Sequence, residues 1–322
     1  MRFKTTIFLL IIFIIMAGIY YFTLEKEEKV EVDPAEKAKE IFNLDADKIQ
    51  TMTLTKGETT LALEKKDGQW RLAGSDDREL DQMKVDSLAE NLATLSATKI
   101  IKEEATADDY SQFGLDENAT HITFTLTDGK KYEGWVGNST PIEDGYYFRR
   151  AGINTIYKIA GYLGDKFKPD LDSLRERQIF TLTRGEVEEF TVERVDGKNF
   201  TIVREEDNWK LVDGPEGIEL DQNKVDSFLN NILTAWITTF VDDNPESYNK
   251  YGLTKPLLKV TVKGKDKTEM LAYGIATTET TMYAKKIDRP EVFIVTADSK
   301  KVFITAEDLK KDSNTEETSE DS

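Results

Sequence analysis

Four aspartates of this chain stand where paired carboxylates could hold a cation: Asp81 with Asp86, and Asp221 with Asp226. They belong to a nine-residue stretch that occurs twice, Glu79-Leu80-Asp81-Gln82-Met83-Lys84-Val85-Asp86-Ser87 and Glu219-Leu220-Asp221-Gln222-Asn223-Lys224-Val225-Asp226-Ser227. Eight of nine positions are identical, and only Met83 against Asn223 differs. A cation site gathers several oxygen ligands, and each stretch offers two carboxylates on different faces. Helix capping explains them with less. Asp81 and Asp221 sit where apolar periodicity begins, as N-caps do. In that frame Leu80 and Val85, and again Leu220 and Val225, have the spacing of a hydrophobic staple. Lys84 and Lys224 fall at the third helical position, so no capping box forms. We read Asp81 and Asp221 as structural caps and Asp86 as part of a solvated face.

Other residues able to do chemistry are few. The chain has one histidine, His121, opening a strand pattern, and no cysteine. Thiolate metal sites, disulfides and cysteine nucleophiles are therefore excluded, and His121 reads as structural. No phosphate-binding loop, dinucleotide fingerprint, nucleophile elbow or HExxH is present. Gly134-Trp135-Val136-Gly137 is glycine-rich but lies in a strand pattern without a following helix. Trp70 and Trp209 recur beside strands and read as core aromatics, whereas Trp135 and Trp236 are unmatched and could be exposed binding aromatics. Asn-x-Ser/Thr triplets at Asn118, Asn138 and Asn199 matter only in a eukaryotic secretory setting. The expectation is a chain with no catalytic residues, no metal and no cofactor.

The elements that carry these residues come in two series. Strand patterns at 49–55, 59–66 and 69–73 lead to the first helix, which runs from Asp81 to about Ala97 with Val85, Leu88, Leu92 and Leu95 on its apolar stripe. Strands through 100–101, 121–127, 130–136, 146–150 and 155–159 follow, with turns at Asp67-Gly68 and Asp128-Gly129. The second series has strands at 187–195, 200–204 and 209–212, a helix with Val225, Phe228, Leu229, Ile232, Leu233 and Trp236, then strands at 236–241, 257–262, 268–273, 282–286 and 292–296. Landmarks repeat at a drifting offset. Trp70 and Trp209 differ by 139 residues, Phe113-Gly114-Leu115 and Tyr251-Gly252-Leu253 by 138, Gly137 and Gly274 by 137, Tyr147 and Tyr283 by 136. Small loop insertions between duplicated elements produce such a drift. The fold class expected is α+β: two tandem homologous units of mainly antiparallel strands, one main helix each, after an N-terminal transmembrane helix.

That helix is read from Ile7–Phe22, an unbroken run of sixteen apolar or glycine residues behind Arg2 and Lys4 and ahead of Glu25-Lys26-Glu27-Glu28. About twenty helical residues span a bilayer core of roughly 30 Å. The basic front places the N-terminus in the cytoplasm and the bulk outside. Bulky Tyr20, Tyr21 and Phe22 stand where a cleaved signal peptide would have small residues, so a retained single-pass anchor is preferred to cleavage. The net charge of −18 becomes −20 beyond residue 24, because Arg2 and Lys4 are the only charges before it. Such a surface repels phosphate backbones, which argues against nucleic acid as a partner. The expected division is 1–24 cytoplasmic tip and anchor, 25–40 charged stalk, 41–168 first unit, 169–186 helical connector, 187–306 second unit and 307–322 disordered acidic tail.

With these residues in place, the chain resembles the bacterial family called domain of unknown function 4340. The resemblance rests on Trp70-Arg71-Leu72 and Trp209-Lys210-Leu211, the Asp-x-x-Lys-Val-Asp helix starts, the Phe/Tyr-Gly-Leu turns, Gly137 and Gly274, and the linker Leu174-Arg175-Glu176-Arg177. It covers roughly residues 41–300. It implies a membrane-anchored extracytoplasmic protein of the bacterial cell envelope, associated with an ABC-type export system similar to the gliding-motility transporter. No catalytic residues come with it. Two functions are thus expected as alternatives: a non-catalytic accessory or scaffold subunit of an integral-membrane transport complex, or a binding module for a cell-envelope glycan or peptide.

Overall fold

The computed structural model describes Met16 and residues 34–74, 78–142 and 144–312. Apart from Met16, the anchor, the stalk before Pro34 and the tail beyond Asp312 lie outside the described residues. Among those described, no helix is long and apolar enough to cross a membrane. The chain divides into two compact units, Met1–Leu171 and Asp172–Ser322.

Unit 1 contains α1 (Pro34–Lys37), β1 (Ile49–Lys56), β2 (Thr59–Lys66), β3 (Gln69–Leu72), α2 (Gln82–Ala93), β4 (Lys99–Lys102), α3 (Ala107–Gln112), β5 (Thr120–Leu126), β6 (Lys131–Ser139), β7 (Gly145–Arg150), β8 (Ile156–Ala160) and α4 (Gly161–Lys166). Its strands form one antiparallel sheet in the order β3-β2-β1-β5-β6-β7-β8-β4. The Asp67-Gly68 turn that joins β2 to β3 has φ of 53° and 78°, the paired left-handed conformation of a tight hairpin. Alternation decides the faces. Met52, Leu54, Ile122 and Phe124 are buried with Val85, Leu88, Ala89, Leu92 and Ala93 of α2. Each large apolar side chain so buried stabilises by about 1.5–3 kcal/mol. A second, smaller cluster (Ala105, Leu115 and Ile156, with Tyr110, Phe113, Trp135 and Tyr147 partly buried beside them) lies under the segment that carries α3.

Unit 2 repeats this. After α5 (Leu171–Leu174) at the boundary come β9 (Glu189–Arg194), β10 (Phe200–Glu205), β11 (Asn208–Asp213), α6 (Gln222–Leu233), β12 (Ile237–Asp242), β13 (Leu258–Lys263), β14 (Thr268–Ala276), β15 (Thr281–Lys286), β16 (Val292–Thr296) and α7 (Ser299–Val302). The strand order, β11-β10-β9-β13-β14-β15-β16-β12, matches unit 1 element for element. The expected tandem units are therefore present, each an eight-stranded sheet with one main helix.

Several boundaries differ from expectation. The first helix stops at Ala93 with Thr94 as its C-cap, and Leu95 is buried beyond it. The second stops at Leu233, and Trp236 is 44% exposed beside β12. Stripe spacing continued past the helix because the next strand also begins with alternate apolar residues. The acidic loop after β4 contains α3, started by a capping box in which Thr106 N–H donates to Asp109 Oδ2 at 2.8 Å and Asp109 N–H to Thr106 Oγ1 at 3.4 Å.

Two larger corrections concern the connector and the tail. Residues 175–183 are not helical: Gln178 bridges Trp236, Ile237 N–H donates to Arg177 O at 3.0 Å, and Ile179 and Phe180 are buried. Unit 1 opens identically, with Glu40 bridging Ser96, Ala97 N–H donating to Lys39 O at 2.8 Å, and Ile41 and Phe42 buried. The linker motif is thus the first edge of unit 2. The tail is ordered as far as Asp312, because its one apolar residue, Leu309, is 2% exposed and its backbone pairs with the helix start. Asp221 N–H donates to Leu309 O, and Lys311 N–H to Glu219 O, both at 2.9 Å.

Candidate functional site

The repeated aspartates build a joint between the helix start and an edge strand. Asp81 caps α2 by accepting Lys84 N–H at 3.2 Å, and Asp221 caps α6 by accepting Asn223 and Lys224 N–H at 2.9 and 3.1 Å. Asp86 is not merely solvated: its carboxylate accepts the Trp70 indole N–H at 2.8 Å, as Asp226 accepts that of Trp209 at 2.9 Å. Between them Gln82 reads both backbone groups of Trp70, accepting its N–H at 2.7 Å and donating to its carbonyl at 3.0 Å. Gln222 does the same to Trp209 at 2.6 and 3.1 Å. A side-chain amide thereby supplies one rung of β-ladder to the outermost strand, β3 or β11, and blocks it from pairing further. Neither pair of carboxylates converges on a common point. The Trp-Asp-Gln joint was missed from sequence, although Trp, Gln and Asp keep the same order in both copies.

The glycine landmarks have an equally local cause. A Cβ on Gly137 would lie 2.4 Å from the Phe113 carbonyl oxygen, and one on Gly274 would lie 2.0 Å from that of Tyr251. The turn before β5 and β13 therefore rests directly on a strand backbone, and only glycine leaves room. Gly134 lies under the Phe148 ring in the same way, so the glycine-rich run is a packing feature.

On the other face of the sheet both copies keep a small cluster, with Leu115, Ile156, Tyr110, Phe113 and Tyr147 answered by Leu253, Val292, Tyr248, Tyr251 and Tyr283, but the row beside it differs. In unit 1, cross-strand neighbours Thr55, His121, Trp135 and Arg149 form a row over β1, β5, β6 and β7. The His121 and Trp135 rings stack at 4.8 Å and 14°, and the Arg149 guanidinium lies 3.6 Å from the Trp135 ring and 4.7 Å from that of Tyr110. Burial holds the Arg149 pKa below its ordinary value. His121 Nε2 is buried without a hydrogen bond, with Glu133 Oε2 3.4 Å away. Both faces of Trp135 are thus covered, which removes it as a sugar-stacking platform; Trp236 keeps an open face at the edge beside β12. The corresponding row in unit 2 is Glu193, Lys259, Ala272 and Lys285. There Glu193 ion-pairs with Lys259, and Lys285 lies over Tyr248 as Arg149 lies over Tyr110.

Three further polar groups have shifted titration for local reasons. Burial would raise the Glu269 pKa, but N–H donors from Leu182 and Thr181 together with Lys267 outweigh it and hold the carboxyl low. Burial pushes the Tyr273 hydroxyl up, and it makes no hydrogen bond. Asp109, bonded by Lys102 and Thr106, is lowered to about 2. Among the described residues no three histidine or acidic side chains gather as a metal site would require.

Two copies of one eight-stranded antiparallel sheet, each with its main helix capped by an aspartate and pinned to an edge strand through a Trp-Asp-Gln joint, define a tandem-repeat α+β protein. The chain belongs to the family described as domain of unknown function (DUF4340), whose sequence model matches residues 70–214 and again 209–313. Both matches begin on the edge strand that carries the joint, at Trp70 and Trp209. No curated protein and no solved structure matches the chain.

Proposed function

We propose that the chain is a single-pass, membrane-anchored extracytoplasmic protein acting as a non-catalytic accessory or scaffold subunit of an ABC-type transport system. One observation carries the reading. Asp81, Gln82 and Asp86 of the repeated stretch, like Asp221, Gln222 and Asp226, are engaged in capping or in tying helix to strand, while the row Thr55-His121-Trp135-Arg149 on the other sheet face is replaced by Glu193-Lys259-Ala272-Lys285. Duplication that preserves a skeleton and varies its surface suits a protein that holds partners. The apolar run Ile7–Phe22 supports the anchor, and the family resemblance supports a transporter as neighbour. An anchor would raise the effective concentration of both units beside such a complex without strong affinity. The second reading, a binding module for an envelope glycan or peptide, draws on the open face of Trp236. Co-purification from mildly solubilised membranes, with and without the ectodomain, tests the proposal. Recovery of transporter subunits only with the ectodomain is expected; their absence, with tight binding of a purified envelope glycan or peptide, would favour the second reading.

A further inference from the structure

Beside the outer end of β4 and β12 the two units solve one packing problem differently. In unit 2, Arg175 is 2% exposed. Its guanidinium lies 3.5 Å from the Phe240 ring centroid, and its Nη1 donates to Asp243 Oδ1 at 2.7 Å and reaches Asp172 Oδ1 at 3.4 Å. Glu291 completes the surroundings: burial pushes its carboxyl pKa up, against the pull of Arg289 and Arg175.

The register of the two sheets locates the same place in unit 1. The bond from Ala97 to Lys39 matches that from Ile237 to Arg177, which puts Lys37 at the position of Arg175. Ile100 pairs with Tyr157 as Phe240 pairs with Phe293. Glu103 follows the end of β4 as Asp243 follows the end of β12, and Thr155 precedes β8 as Glu291 precedes β16. Lys37, however, is exposed. Where unit 2 holds its own arginine, unit 1 has a cavity of about 540 Å³ lined by Ala38, Ile100, Glu103, Ala105, Asn154 and Thr155, among others.

We propose that this cavity receives an arginine side chain from a partner polypeptide, completing between molecules the arrangement that Arg175 makes within unit 2. Ile100 supplies the apolar floor in place of Phe240, and Glu103 the carboxylate in place of Asp243. The side chains of Asn154 and Thr155 add acceptors at the rim. A planar, weakly hydrated guanidinium uses such a floor and a carboxylate together, whereas the strongly hydrated ammonium of lysine gains less from the apolar contact. A chain carrying 61 acidic residues against 43 basic ones also draws cationic segments towards it.

The test uses the full chain in detergent micelles and the peptide N-acetyl-Gly-Arg-Gly-amide, with the citrulline peptide as a neutral isostere. Binding is followed by calorimetry and by amide shifts of Ala105 and Thr155. The arginine peptide is expected to bind at roughly millimolar strength, since a single side chain contributes little beyond the cost of association. The citrulline peptide and the Glu103→Gln variant should each lose about tenfold or more, the worth of one charge-assisted hydrogen bond. The double variant Lys37→Arg/Ile100→Phe, which rebuilds the self-filled site of unit 2, should close the cavity to the peptide. Circular dichroism and thermal melts check that the variants stay folded. Absence of any shift with the arginine peptide, equal binding of the citrulline peptide, or undiminished binding by either folded variant would overturn the proposal.

Discussion

Replacing Gln82 by Ala isolates the side-chain rung that closes β3. Gln and Ala differ little in helix propensity, so the change leaves α2 itself nearly untouched. It deletes the bonds to Trp70 N–H at 2.7 Å and Trp70 C=O at 3.0 Å, and the bond to Leu80 O at 3.1 Å. At about 0.5–1.5 kcal/mol net for each bond, three bonds would give roughly 1.5–4.5 kcal/mol. The site is only partly buried, so water recovers some of this and about 1.5–3 kcal/mol is the expected loss. For a unit of this size that corresponds to a drop of several degrees in Tm, at roughly 2–4 °C per kcal/mol. The neighbouring Met83→Ala change is the control: Met83 is 81% exposed and its loss should cost within about 0.5 kcal/mol. Urea denaturation followed by tryptophan fluorescence reads the difference, with light scattering alongside because an unblocked edge should aggregate more readily. If Gln82→Ala melted and aggregated like Met83→Ala, the joint would be incidental to stability.

Asp221→Ala should cost about 0.5–2 kcal/mol by denaturant titration, because two backbone N–H groups lose their acceptor. Leu309→Ala should cost about 2–5 kcal/mol, since its side chain is buried in the core of unit 2; a neutral result would return residues 307–312 to the status of a loose tail. Gly274→Ala should greatly lower the yield of folded protein, given a Cβ 2.0 Å from a backbone carbonyl, whereas Gly129→Ala, with φ of 82° and open space around it, should cost only about 1–2 kcal/mol. Asp109 is lowered from 3.8 to about 2, so what it contributes to the start of α3 is present above pH 3.8 and is lost as pH falls through about 2. An NMR titration of the Thr106 and Tyr110 amides should show that transition, and Asp109→Asn should remove it.

How far the sequence revealed this structure depends on whether a residue acts through spacing or through a distant contact. The duplication, the cap residues and the hairpin turns act over a few residues, and Asp81, Asp221 and Asp67-Gly68 were readable for that reason. The indole-to-Asp86 bond spans sixteen residues and needs the strand and helix already placed. Trp135 looked available because its type and its lack of a counterpart said nothing of His121 and Arg149 closing on it from adjacent strands. The connector at 169–186 is helical at Leu171–Leu174 but not over 175–183, and Ile179-Phe180 matches Ile41-Phe42 only once the strand edges are known. The tail failed for a simpler reason. One leucine was too little to suggest packing, yet residues 307–312 are held by that buried leucine, by backbone bonds to the helix start, by a Thr305-Asp308 capping box and by Lys224 reaching Lys310 O and Asp312.

The placement of β4 and β12 has a kinetic consequence. Each is fourth in the chain but last in its sheet, and its hydrogen-bonding partner, β8 or β16, is the final strand of the unit. As a unit is made, the first three strands and the main helix can assemble early, while the fourth must wait some fifty residues for a neighbour. β1 likewise waits for β5 across the whole helix. Chains with so many distant pairings cross their folding barrier slowly, in milliseconds to seconds. The early part of each unit therefore passes through a period with unpaired strands in the open, when chaperones or premature pairing with the neighbouring copy compete with completion of the sheet.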